Sequence, residues 1–250
     1  MTPRLLSMFS GIGGLDLGLE RAGMRVVRQC EIDPYCRRVL AKHWPGVPCH
    51  DDVATMTFTE GEADVICGGF PCQDVSNAGL RAGLAGERSG LYGQLVRAIR
   101  VVRPLVAVLE NVAALLGRGM GTVLGDLAES GYDAEWDCVP ACAVGAPHVR
   151  DRAFVLAHPD GVGRATEGHW RLSQNADAGI SRQGWPSPRG ERPKVWEQPR
   201  FIEPQVGGAV DGLRKRLDGR YRLASLRGLG NAVVPQVAEV VGRRVMEYFP

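Results

Sequence analysis

Four short apolar runs, each stopping in a glycine-rich or acidic loop, set what this chain can become. Arg4–Met8 leads into Phe9-Ser10-Gly11-Ile12-Gly13-Gly14, and Arg25–Cys30 leads into Glu31-Ile32-Asp33. Residues 64–67 end in Gly68-Gly69-Phe70-Pro71-Cys72-Gln73, and residues 105–109 end in Glu110-Asn111-Val112. Helical spacing fills the intervals: Leu15, Leu17, Leu19 and Ala22 after the first loop, a helix opened by Pro34 after the second, then Leu91–Val102 and Met120–Glu129. Residues 135–139 and 152–157 read as closing strands and residues 236–248 as a final helix. Strands alternating with helices specify an α/β fold, a Rossmann-like and mostly parallel sheet with helices on both faces. In such a sheet ligands gather at the carboxyl ends of the strands, so the four loops are where chemistry is expected.

The loop from Gly11 to Gly14 lets backbone N–H groups and a helix amino terminus approach a ligand closely, a weak signal when taken alone. A dinucleotide site would place glycine at position 16, where this chain has Asp16. Glu31 lies twenty residues beyond Gly11, the spacing at which an acidic side chain meets ribose hydroxyls. Cys72 follows a strand end and a Phe-Pro pair that stiffens its approach, because proline fixes its own φ and extends the residue before it. A small buried thiol is the plain reading of a single cysteine, and a solvated carboxylate that of a single glutamate. Company argues otherwise, since Cys72 and Glu110 end different strands and can face one pocket. Arg150 and Arg152 stand two apart at the head of an apolar run, and alternation points both to one side of an extended segment.

Phe9-Ser10-Gly11-Ile12-Gly13-Gly14, Pro71-Cys72-Gln73, Glu110-Asn111-Val112, Arg150-x-Arg152 and Gly230-Asn231 occur in this order, and in this the chain resembles the cytosine-5 DNA methyltransferases of bacteria and phages. The resemblance covers residues 4–157 and 226–250. It implies S-adenosylmethionine as cofactor and a catalytic set of Cys72, Glu110, Arg150 and Arg152. For the cofactor it implies Phe9, Gly11, Ile12, Gly13 and Gly14 in the loop, Glu31 on the ribose with Ile32 beside it, and Asp52 on the adenine with Val53. Pro71, Leu91, Asn231 and Val233 complete that implied set. The implied substrate is cytosine in a specific sequence of double-stranded DNA, methylated at carbon 5 through a covalent cysteine adduct at carbon 6 and swung out of the duplex first. Two departures stand out. His148 occupies a position where the family usually has glutamine, and the ninth motif, Arg-x-x-Thr-x-x-Glu, is missing before Gly230.

The resemblance divides the chain into a catalytic domain, residues 1–157 and 226–250, and a short irregular target-recognition region, residues 158–225. Charge follows that division. Residues 1–157 carry 15 Lys and Arg against 18 Asp and Glu, whereas residues 158–227 carry 13 against 8. The basic segment interleaves Trp170, Trp185, Trp196, Phe201 and Tyr221 with arginines and is broken by prolines and glycines. Phosphate contact and base reading are expected of it, with a disordered basic linker as the alternative. Glycines punctuate residues 73–90, the pattern of a lid beside a reactive thiol.

Seven cysteines without an export signal argue for reduced thiols and a cytoplasmic protein. Cys138 and Cys142 lack a second pair, so no metal site is expected. No run of eighteen apolar residues exists, so no membrane is expected as a partner. Double-stranded DNA is the expected partner, a restriction endonuclease is a candidate companion, and a monomer is the expected state. Three competing functions remain at this stage. An RNA cytosine-5 methyltransferase would share the core but normally carries a Cys-Phe-Thr motif not found here. A nucleotide-binding dehydrogenase leaves Cys72 and Glu110 without work, and a non-catalytic nucleotide-binding protein leaves the whole catalytic set without work.

Overall fold

A computed structural model describes residues 1–70, 90–146, 148–162 and 228–249. Its seven-stranded sheet has the order β3-β2-β1-β4-β5-β7-β6. In chain order the elements are β1 Arg4–Met8, α1 Gly14–Arg21, β2 Arg25–Cys30, α2 Pro34–His43, β3 Cys49–His50, β4 Val65–Gly69, α3 Leu91–Val102 and β5 Val106–Val112. There follow α4 Leu115–Arg118, α5 Met120–Glu129, β6 Tyr132–Pro140, a 3-10 turn at Ala141–Val144, β7 Asp151–Pro159 and α6 Pro235–Met246. The first five strands in sheet order run parallel, and β7 runs antiparallel to both β5 and β6.

Period-two alternation in the central strands builds the two faces. Leu6, Ile66, Ala107, Leu109, Val155 and Ala157 point to one side, where Leu95, Ile99 and Val102 of α3 and Val123 and Leu127 of α5 cover them. Leu5, Val65, Val106, Val108, Phe154 and Leu156 point to the other, beneath Leu15 and Leu19 of α1 and Val237, Val241 and Val245 of α6. These strands are buried on both faces, which explains why they read as unbroken apolar runs. The expected sheet, covered on both faces, is the one observed.

Four strands reach further than the sequence indicates, β4 among them, because Gly68 and Gly69 pair with Leu109 and Glu110 of β5. β5 continues through Glu110, Asn111 and Val112, because these pair with Phe154, Ala153 and Arg152 of β7. β6 begins at Tyr132, paired with Pro159, so β7 runs two residues past position 157. Arg150 lies just before β7 with φ 24, so it is not in the extended segment that alternation had given it.

Helix α6 fastens the carboxyl-terminal part to the core. Arg244 donates to both oxygens of Glu135 on β6, at 3.0 and 3.1 Å, and Tyr248 donates its hydroxyl to the same carboxylate at 3.2 Å. Against α1 the contact is backbone-close: a Cβ on Gly18 would lie 2.3 Å from Ala238 Cβ and 2.4 Å from the Pro235 carbonyl oxygen. Gly18→Ala is therefore expected to force the helices apart and to lower stability by about 1–3 kcal/mol. Thermal unfolding of the two proteins measures this, and an unchanged Tm would remove the close packing from the account.

Candidate functional site

Chain connection from β1 goes outward through α1 to β2, while β4 lies on the other side of β1, so the order reverses between β1 and β4. That reversal splays the loops after β1 and β4 and opens a crevice at the strands' carboxyl ends. A cavity of about 560 Å³ lies there. The loop after β1 enters it with Phe9 at φ 56, a left-handed backbone that side chains other than glycine rarely adopt. Gly13 caps α1 at φ 84 with its α-carbon against the Trp44 ring, where a Cβ would meet ring carbon at 2.4 Å.

Glu31, at the end of β2, accepts from the Gly11 N–H at 2.7 Å and from the Asp33 N–H at 2.8 Å. Each carboxylate oxygen has a second lone pair, so the side chain both fixes the glycine loop and retains acceptor capacity beside the cavity. Asp33 caps α2 by accepting from the Tyr35 and Cys36 N–H groups. Between these two acids Ile32 is 73% exposed on the cavity wall. Asp52 and Val53 line the same cavity from the turn after β3. Arg97 of α3 binds that turn by donating to the carbonyls of Val53 and Met56 at 3.0 and 2.9 Å, with Phe58 stacked against its guanidinium.

The far wall carries the polar pair. Arg152 Nε donates to Glu110 Oε1 at 2.9 Å, and both side chains are largely buried. Burial pushes the Glu110 carboxyl above its ordinary range, against the pull of the Arg152 and Arg150 guanidinium groups. A Cβ on Gly69 would lie 2.6 Å from Glu110 Oε2, so the glycine at the end of β4 leaves the space into which this carboxylate fits. Arg150, half-buried, holds its Nε and Nη2 without a hydrogen-bond partner among the described residues, and desolvation lowers its pKa. Unpaired N–H groups of a buried guanidinium mark a place where an acceptor from outside would be held. Asn111 is buried and donates to the Phe70 carbonyl at 2.9 Å, while the Phe70 ring packs on Tyr92 at 4.9 Å between centroids.

Of the cofactor set implied by the sequence, Phe9, Gly11, Gly14, Glu31 and Ile32 line this one cavity, as do Asp52, Val53, Leu91, Asn231 and Val233. Ile12 and Gly13 stand behind it: Ile12 packs on Gly228 and Gly13 on Trp44. Glu110 and Arg152 line it also. Pro71, Cys72, all but the last residue of the expected lid at positions 73–90, and positions 163–225 of the expected recognition region lie outside the described residues. Sequence reading gave no role to Asn111, Arg97 or Ser7. Ser7 carried a usable signal as a polar residue within the apolar run of β1, whereas Gln29 did not, since β2 also holds Arg25 and Arg28.

The family model for C-5 cytosine-specific DNA methylase matches residues 3–184. Type II methyltransferase M2.BsuMI of Bacillus subtilis is 38% identical over 162 residues, 62% of this chain and 41% of that protein. Type II methyltransferase M.Eco47II of Escherichia coli is 33% identical over 179 residues, 68% of this chain and 43% of that protein. The chain thus spans less than half the length of these curated relatives. Among solved structures, the Entamoeba histolytica methyltransferase EhMeth overlays with a TM-score of 0.65 at 14% identity, covering 100% of this chain and 99% of that one, a likeness of fold. No helix among the described residues is long and apolar enough to cross a membrane.

Proposed function

The chain belongs to the C-5 cytosine-specific DNA methylase family, and from that premise we propose that it methylates carbon 5 of cytosine in double-stranded DNA with S-adenosylmethionine as donor. One observation carries the proposal: a single cavity at the switch point brings the donor-side residues Glu31, Ile32, Asp52 and Asn231 together with the buried pair Glu110 and Arg152. The cavity volume lies in the range of cofactor sites. Glu31 offers acceptor positions for ribose hydroxyls, Ile32 offers an apolar surface for the adenine, and Asp52 stands where the exocyclic amine would be met. When bound there, the cofactor supplies a methyl group on a positively charged sulfur.

Cytosine carbon 5 is too electron-poor to take that methyl unaided. We assign Cys72 as the nucleophile whose thiolate adds to carbon 6, its ionisation favoured by the positive charges of Arg150 and Arg152. Glu110, a carboxyl that holds its proton above the usual range, hydrogen-bonds ring N3 and the exocyclic amine as electrons move into the ring. Arg150, whose charge acts on Glu110 from just outside the cavity lining, is assigned to hold an oxygen of the flipped nucleotide with donors that have no partner among the described residues. After carbon 5 is methylated, water removes its proton and Cys72 leaves from carbon 6, which restores the aromatic ring. Sequence choice is assigned to the basic, aromatic segment at positions 158–225. A companion restriction endonuclease fits the Type II relatives.

Bisulfite sequencing of plasmid DNA treated with the purified protein and S-adenosylmethionine tests the function. Conversion-resistant cytosines at one recurring sequence are expected. Methylation of transfer RNA with none of duplex DNA would overturn the substrate. On the donor side, Glu31→Ala is expected to weaken S-adenosylmethionine binding by about 1–3 kcal/mol, the cost of leaving hydroxyl groups and the Gly11 N–H without their acceptor. Calorimetry checks this, and DNA affinity measured without the donor should barely move. Equal losses for both ligands would indicate misfolding.

A further inference from the structure

Asp16 is fully buried in the first turn of α1, beneath the loop that leads into the cavity. One carboxylate oxygen accepts from Ser7 Oγ at 2.6 Å and the other from Gln29 Nε2 at 2.7 Å. Ser7 in turn shares a hydrogen bond with Ser10 Oγ at 2.8 Å, and both serines line the cavity. The carboxylate is therefore one hydroxyl away from the cavity wall, and both of its partners are neutral. Its own backbone N–H and the amino-terminal dipole of α1 bring only partial positive charge, and the remaining groups bring no cation: Glu20 of its own helix is an anion, and Cys67 of β4 and Cys49 of β3 are thiols whose ionisation it opposes. Helix α6 meets α1 through Ala238 and the Pro235 carbonyl, neither of which titrates.

A buried carboxylate is ordinarily compensated by a cation, because desolvation costs more than neutral hydrogen bonds return. Here desolvation lifts Asp16 to about 6, so near neutral pH it is an ionised group without a resident counter-charge. A ligand that brings a positive charge into the neighbouring cavity supplies what the protein omits.

We propose that the buried Asp16 carboxylate makes this cavity favour a cationic occupant over a neutral one of the same shape, so that Asp16 helps to select S-adenosylmethionine over its demethylated product. The inference rests on the reading of the cavity as the methyl-donor site. The two molecules differ by one methyl and one charge: the donor's sulfur is a sulfonium, the product's a neutral thioether. Glu31 and Asp52 on the cavity wall are only partly buried and are screened by solvent, and the buried Glu110 is paired with Arg152, whereas Asp16 is fully buried and acts through protein. Discrimination of this kind favours exchange of spent product for fresh donor.

Calorimetric dissociation constants for S-adenosylmethionine and S-adenosylhomocysteine, measured with wild type and Asp16→Asn at pH 7.5, test the proposal. The variant is expected to lose about five- to tenfold in affinity for the sulfonium and less than about twofold for the thioether, the effect of one charge at an effective dielectric near 20. In the wild type the preference for the sulfonium should shrink as pH falls, with a midpoint near 6 where Asp16 takes its proton, while the variant shows no such step. That midpoint lies above the ordinary carboxylate range, but the carboxyl of Glu110, buried in the same cavity, is also raised. If the Asp16 variant does not fold, the series is therefore run on Glu110→Gln, where the step near 6 should persist if it belongs to Asp16 and its loss would overturn the proposal. Equal losses for both ligands, or a ratio independent of pH, would overturn the role of Asp16 and leave the cavity assignment standing. Failure of the wild type to bind either ligand would overturn both.

Discussion

Cys72→Ser is expected to reduce methyl transfer to below about a thousandth of the wild-type rate, because the reaction has no other route to raise electron density at carbon 5. DNA carrying 5-fluorocytosine at the target should form a stable covalent adduct with the wild type in the presence of the donor, since fluorine cannot leave as a proton does. The serine variant should form none while still binding S-adenosylmethionine normally. The described residues that lead toward position 72 support the assignment. Asn111 holds the Phe70 carbonyl at 2.9 Å and Tyr92 packs on the Phe70 ring, so the backbone two residues before Cys72 is braced from β5 and from α3. Glu110 and Arg152 line the cavity that Phe70 also lines. An undiminished adduct in the serine variant would sink the assignment.

How far the sequence alone reached depends on the separation of the interacting residues. Gly68 and Gly69 read as a loop yet still pair within the sheet, whereas strand ends were legible at Phe9 to Gly14 and at Glu31. The end of β5 was not, because Glu110 and Asn111 are polar and resemble a loop, yet both lie in the sheet through their pairing with β7. Glu31 was legible from its spacing to Gly11, and the structure gives that spacing a cause in the hydrogen bond between them. The clasp of Arg97 on the turn after Asp52 was hidden, since its contacts reach across 44 and 41 residues and one exposed-looking arginine on a helix resembles any other. Asp16 was visible only as a missing glycine. Its meaning came from Ser7 and Gln29, brought into register on adjacent strands, where they bind it from below. Arg150 came out differently from its period-two reading, because the turn before β7 gives it a positive φ.

Glu110→Gln is expected to lower turnover by about 10²- to 10⁴-fold, the usual share of a positioned acid or base, with donor and DNA binding kept. Glutamine preserves the shape and can accept from the cytosine amine, but it has no acidic proton to hold toward N3. The environment of Glu110 is divided in its effect. Desolvation in a crevice closed by Gly69 and Arg152 favours the neutral acid, while the guanidinium groups of Arg152 and Arg150 favour the carboxylate, and desolvation is the larger influence. A carboxyl whose pKa is raised keeps its proton to higher pH than an ordinary glutamate, so the fraction that can serve as acid falls as pH rises through that raised value. Thiolate formation at Cys72 works in the opposite sense and increases with pH. The wild-type rate should therefore pass through a maximum, its alkaline limb belonging to Glu110 and its acid limb to Cys72. In Glu110→Gln the alkaline limb should vanish and the acid limb remain. A variant that keeps the full bell at a reduced rate would show that Glu110 orients the base without supplying its proton, and the acid would have to be sought elsewhere in the crevice.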